Sequence, residues 1–167
     1  MHISEEEYAP FYNGYVKNVN DNVLETLRQQ SDNFPDFIRS INENLATHAY
    51  GEGKWTVAEV IGHILDTERV MAYRALCFAR DRHIAQPGFD ENLFADAANY
   101  KERTLASLAE EFQLLRKSNM ILFESFTEDA LLNRGIANGK AISVRALLYV
   151  IAGHLIHHCN MLKERYL

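Results

Sequence analysis

The sequence is short of cysteine, of positive charge and of long apolar runs. Its two cysteines, Cys77 and Cys159, sit apart inside helical patterns and form no CxxC pair. They read as reduced, packed thiols. A reactive Cys159 beside His158 would need a lowered thiol pKa. Lysine and arginine number 17 against 23 acidic residues, for a net charge of −6. No basic stripe forms, which argues against a general nucleic-acid or anionic-membrane binder. No apolar stretch approaches the ~20 residues needed to span a bilayer. The opening segment MHISEEEYAPFY is acidic and has no apolar signal core, so a cytoplasmic protein is expected. Alternating β-branched runs are few, so strands are not expected.

What remains is 167 residues, 47% of them hydrophobic. That supports one domain over residues 1–167 with a full core, folding without a disulfide or metal. Four stretches carry apolar residues at helical spacing. The first runs from about Asn20 to Asn44, with a kink or break expected at Pro35. The second begins at WTVAEV, where Thr56 and Glu59 form a capping box, and continues to about Arg80. A loop with Pro87 and Gly88 follows, then a short helix over Asn92–Ala98.

The third long helix runs from about Lys101 to Ser125, with Leu105, Leu108, Phe112, Leu115, Ile121 and Leu122 inward. TEDALLN suggests one helical turn, and NGK marks a tight turn. Ser143 caps the fourth long helix, which runs almost to Leu167. The fold class is therefore all-α, a four-helix bundle. The connection between its second and third long helices is long, so a plain up-down-up-down order is not assured.

The fourth helix contains GHLIHHC, residues 153–159. A helix turns ~100° per residue, so His158 lies ~40° from His154 and one turn along the same face. Leu147 and Met161 share that face. His157 falls ~60° the other way, at the boundary or surface. A pair of imidazoles at i, i+4 can chelate a metal, as in HExxH, but Leu155 stands where that motif has glutamate. On this helix alone, structural histidines and a metal site both stay open.

His63, in VIGHILDTERV, lies on the edge of the buried face of the second helix. Three imidazoles on inward edges of two long helices can meet near one end of a bundle. Three neutral nitrogens with open positions for water describe a catalytic type of site for Zn²⁺, Ni²⁺ or Fe²⁺. His2, His48 and His83 fall in terminal or loop segments and read as solvated.

The stretches GKWTVAEVIGHILDTERVMAYRALCFARD, PGFDENLF and ANGKAISVRALLYVIAGHLIHHCNMLKERYL resemble the DinB-like, YfiT-related superfamily of metal-dependent enzymes. The resemblance covers nearly the whole chain. It implies a four-helix bundle, often a homodimer, with a three-histidine metal site. The family's ligands fall on His63, His154 and His158. A divalent metal is implied, Zn or Ni before Fe or Mn. Some relatives are thiol-dependent transferases using low-molecular-weight thiols, and others are hydrolases. The implied partner is thus a small-molecule substrate, with or without such a thiol. The rival is a non-catalytic metal-binding or stress-response bundle acting through dimerisation.

A hydrolase also benefits from a general base. Glu59 and Asp66 both project within ~60° of His63. Glu59 is already accounted for as a cap, which leaves Asp66 as the catalytic candidate, against a salt-bridge reading. Asp66, Glu68 and Arg69 could equally form a structural network or a dimer interface. Arg74 and Arg145 lie in apolar surroundings, where each reads either as half of an interhelical ion pair or as a clamp for an anionic substrate. Tyr73 and Tyr149 read as core or as pocket lining.

Overall fold

The computed structural model describes residues 3–81 and 84–167. The expectations for His2 and His83 lie outside the described residues. Seven α-helices occur among the described residues: α1 (Asn13–Val16), α2 (Val23–Ser40), α3 (Val57–Arg80), α4 (Glu91–Ala97), α5 (Leu105–Glu124), α6 (Glu128–Leu132) and α7 (Val144–Arg165). Each long helix starts at a polar cap. Asn22, Thr56, Thr104 and Ser143 each accept a backbone N–H of the first turn, which otherwise has no partner. At α3 the box is complete: Glu59 accepts the Thr56 N–H at 2.8 Å. α2 runs through Pro35 to Ser40 without the expected break, since that residue is buried against the core and the turns on both sides are held by packing.

The four long helices form a bundle in which α2 packs along α5 and α7, and α3 packs along α7 and α5. Consecutive α2 and α3 therefore stand on a diagonal. α5 and α7 stand on the other diagonal, so the departure from a simple up-down order lies in the α2–α3 and α5–α7 steps, while the long connection after α3 leads to a packed neighbour, α5. No described helix is long and apolar enough to cross a membrane.

Strands do occur, contrary to expectation. β1 (Ala85–Gln86), β2 (Arg134–Ala137) and β3 (Lys140–Ser143) make a small sheet in the order β1-β2-β3. The tight turn at NGK joins β2 to β3: Asn138 and Gly139 take φ of 49° and 71°, the pair of left-handed residues that a two-residue hairpin requires. β1 pairs parallel to β2 and ties the α3–α5 connection to the entry of α7.

The apolar core has two parts, one around α1, α7 and the C-terminal half of α3, the other around Phe34, Val60, Ile64, Leu108 and Phe112. A polar layer touches all four long helices. Arg116 of α5, fully buried, donates to Glu68 of α3 at 2.7 and 2.8 Å, and to the Leu27 carbonyl and Gln30 of α2. Gln30 in turn donates to the Ala152 carbonyl of α7 at 2.9 Å, and Asn119 donates to Glu68. With Arg116 taking an inward position, the buried face of α5 runs through Phe112, Arg116, Met120 and Phe123. Ile121, expected inward, is 75% exposed because it stands about 100° off that face.

Gly153 lets α1 approach α7. A Cβ there would run into the Tyr15 backbone carbonyl. Gly153→Ala is expected to cost roughly 1–3 kcal/mol through overpacking. The melting temperature should fall by about 3–10 °C, measurable by thermal denaturation. A loss below a degree would show that α1 yields freely.

Candidate metal centre

α3 and α7 are packed neighbours, and their pairing sets His63 against His154 and His158. The His63 Nε2 and His158 Nε2 each lie 3.0 Å from His154 Nε2. The nearest nitrogens of the three rings lie within 4.8 Å of one another. His154 and His158 are buried, and His63 is half-buried. His157 is exposed, as helical phase requires. The ring of His63 packs on Trp55 at 4.8 Å, and Tyr15 presents its edge to His154 at 5.4 Å. These aromatic side chains pack against the His63 and His154 rings.

The donor set fits a cation. Burial holds His63 down to about 4 and His158 to about 3, and it holds His154 well below its ordinary value. All three are therefore neutral near pH 7, each with one ring nitrogen carrying a lone pair. The two 3.0 Å contacts cannot both be good hydrogen bonds. His154 Nε2 carries either a proton or a single in-plane lone pair, so it completes only one of them. Nitrogens about 2.1 Å from one ion lie roughly 3.0–3.4 Å apart, which removes the conflict. With Nε2 turned to the centre, His158 Nδ1 is buried and has no partner among the described residues.

Two cavities flank the centre. One, about 240 Å³, reaches His158 past Trp55, Tyr50 and Asn92. The other, about 250 Å³, reaches His154 past Tyr15, Thr67 and Glu91. Glu91 and Asn92 open α4, so the N-terminus of this short helix stands between the two. Asp90 caps α4 by accepting two backbone N–H groups. The Glu91 carboxylate partly offsets burial at His63 and raises the Tyr15 phenol further. Sequence reasoning placed Glu91 in a loop and missed it. Its signal is an acid directly after the turn residues of PGFDENLF, which only the fold carries to the histidines.

Asp66 keeps other company. Its Oδ1 accepts the Tyr100 hydroxyl at 2.8 Å and lies 3.8 Å from Arg69. The Arg69 guanidinium also binds Glu111, which pairs with Arg103. Glu59 remains a cap and adds an ion pair with Lys101 at 3.0 Å. Glu68 is buried with Arg116, so the network reading of DTER holds for it. Arg145 pairs with Glu7, whose second partner is Ser143. Arg74 has no carboxylate partner among the described residues. Tyr149 is core and Tyr73 is exposed. Both cysteines are free thiols, and burial pushes Cys159 up to about 11, so it stays protonated.

A four-helix bundle with three converging histidines defines a class, and the comparisons with known proteins give it a name. The family model of the DinB superfamily matches residues 26–162, and the chain belongs to that superfamily. No curated protein matches its sequence. Among solved structures it is similar to YfiT from Bacillus subtilis, described as a probable metal-dependent hydrolase with an unusual four-helix bundle topology. The two share 16% identity and a TM-score of 0.75, over 98% of this chain and 90% of that one. It is also similar to YjoA, a DinB-like protein from Bacillus subtilis, at 18% identity and a TM-score of 0.60, over 86% of this chain and 87% of that one. At such identities the likeness establishes the fold.

Proposed function

We propose that the protein is a metal-dependent hydrolase of a small molecule, with Zn²⁺ or Ni²⁺ held by His63, His154 and His158. The observation that carries this reading is the convergence of three neutral Nε2 atoms, two of them on buried rings, that cannot satisfy one another. The description of YfiT as a probable metal-dependent hydrolase agrees with it. When bound, a divalent cation on three neutral nitrogens acts as a Lewis acid and makes water a nucleophile near neutral pH.

The chain's own residues do the rest. Trp55 and Tyr15 hold the imidazole rings in place. Glu91, on the cavity that reaches His154, accepts the proton that water gives up, because its charge is felt at His63 and it lines the approach. In this reading Asp66 acts as a positioning residue. By accepting from Tyr100 it fixes the ring that packs against Gly62, the residue preceding His63.

The test is metal analysis of purified protein, followed by a panel of activated esters and amides. About one equivalent of Zn or Ni is expected, and hydrolysis should be lost on chelation and restored by metal. Glu91→Gln should keep the metal and lower kcat by roughly 10²–10⁴-fold, the usual contribution of a general base. Full activity in Glu91→Gln would remove that residue from the mechanism. Turnover that required glutathione or another small thiol would replace hydrolysis by thiol transfer.

A further inference from the structure

Three arginines of this chain lie in apolar helical surroundings, and they meet different fates. Arg116 pairs with Glu68 and Arg145 pairs with Glu7. Arg74 is 3% exposed and has no carboxylate within ion-pair distance among the described residues. Its Nη2 donates to the Pro87 carbonyl at 2.6 Å, its Nη1 meets Met71 Sδ at 3.5 Å, and its guanidinium lies 5.9 Å from the Phe89 ring. A guanidinium has five N–H donors, so three remain, including one on each terminal nitrogen. A buried cation without a counter-ion is costly, and a bound anion removes that cost.

Arg74 lines the same cavity as His154, and also a neighbouring one beside Tyr73 and Gln86. Thr67, 4% exposed on the lining it shares with His154, has no partner for its Oγ1 among the described residues. His63, Thr67, Met71 and Arg74 are spaced four, four and three residues apart, so they form one stripe along α3. Eleven residues span about 16 Å of helix axis. The side chain of Arg74 leans back toward the N-terminus of α3, as its contact with Met71 shows. Met71, Val150 and Phe89 supply apolar wall between the two ends. Glu91, the acidic residue on this lining, acts on His63 and Tyr15 and not on Arg74, whose pKa burial lowers.

We propose that Arg74 and Thr67 bind the carboxylate of a small-molecule acid, whose apolar chain runs along the cavity and whose reacting bond lies at the three histidines. The part of this proposal that concerns the reacting end rests on the metal-dependent reading above. The carboxylate end stands on Arg74 alone. A carboxylate matches the remaining donors as a planar, two-point acceptor. It also balances one cation with one charge, whereas a phosphate monoester brings about −1.5 to −2 and leaves an excess in a buried site.

The test measures binding by calorimetry at pH 7.5, on Zn-loaded and on chelator-treated full-length protein. The probes are hexanoate, its uncharged counterpart hexanamide, and inorganic phosphate. Hexanoate is expected to bind at least tenfold more tightly than hexanamide, with or without Zn, and more tightly than phosphate. Arg74→Met should erase the preference for the acid. Arg74→Lys, which keeps the charge and the stem, should weaken hexanoate by about three- to tenfold.

Equal binding of hexanoate and hexanamide to wild type would overturn the proposal without recourse to any variant. So would unchanged hexanoate affinity in folded Arg74→Met or Arg74→Lys. Phosphate binding as tight as hexanoate would overturn the choice of carboxylate. Hexanoate binding seen with Zn-loaded protein and lost on chelation would overturn the proposal too, by placing the carboxylate on the metal. Absence of metal from wild type would sink the hydrolase reading and leave the carboxylate site standing.

Discussion

His154→Ala is expected to leave the protein unable to retain a metal. His154 Nε2 is the shared point of both 3.0 Å contacts, so removing it leaves His63 and His158 without the ligand that bridges them. The loss of affinity should exceed about a hundredfold, since losing even an outer partner of a metal ligand costs 10–100-fold. Metal analysis after dialysis should find about one equivalent in wild type and under a tenth in the variant. Equal retention in both would place the ion elsewhere.

Protonation gives this prediction a pH signature. Burial holds His63 to about 4 and His158 to about 3, so protons begin to compete for these nitrogens well below pH 6.5. Wild type should keep its metal at pH 5.5, where exposed histidine chelates have released theirs. In metal-free protein the sign follows from the same shifts. Below about 6.5 the unfolded chain takes up protons on these histidines and the folded chain does not, so stability falls as pH is lowered toward 4. His154→Ala should flatten that fall.

Glu68→Gln is expected to be the most destabilising of the conservative substitutions. Glu68 is 2% exposed and receives Arg116 through two hydrogen bonds, while Arg116 is 0% exposed. Neutralising one partner strands a guanidinium in the centre of the bundle, which costs roughly 3–5 kcal/mol. At about 2–4 °C per kcal/mol for a chain of this size, the melting temperature should drop by roughly 6–20 °C. The double variant Glu68→Leu with Arg116→Met should recover much of that loss, because it removes the charge along with its partner.

The layer also fixes helix register. It links α2, α3, α5 and α7 through Leu27, Gln30, Glu68, Arg116 and the Ala152 carbonyl. Ala152 lies two residues before His154, so disturbing the layer should weaken metal retention as well as stability. Denaturation and metal analysis on the same Glu68→Gln preparation check both. A loss below 1 kcal/mol would show that water reaches Arg116.

Much of the fold is legible in local sequence. Thr56 and Ser143 start helices through their own side chains, and the starts of α3 and α7 follow from them. The third long helix, expected from about Lys101, starts at Leu105 behind its cap Thr104. Asn138-Gly139 turns the chain because it tolerates left-handed backbone. What local pattern does not reveal is the sheet. β1 is two residues long and exists through parallel pairing with β2, a partner some 50 residues away. Ile121 was expected inward because apolar spacing alone does not reveal that a charged residue, Arg116, occupies the buried stripe of α5. That stripe closes only when Glu68 arrives from α3.

The same division runs through the site. Helical phase by itself determines that His154 and His158 share an inward edge, that His157 leaves it, and that His63 borders the buried face of α3. It does so because 100° per residue is a property of the backbone, independent of neighbours. That the two edges meet was decided by tertiary structure, through the packing of α3 on α7. So was the difference between Arg145, which finds Glu7 from the other end of the chain, and Arg74, which finds no carboxylate among the described residues. Whether a charge is paired depends on what long-range packing places within a few ångströms of it, and no periodicity in the sequence carries that distance.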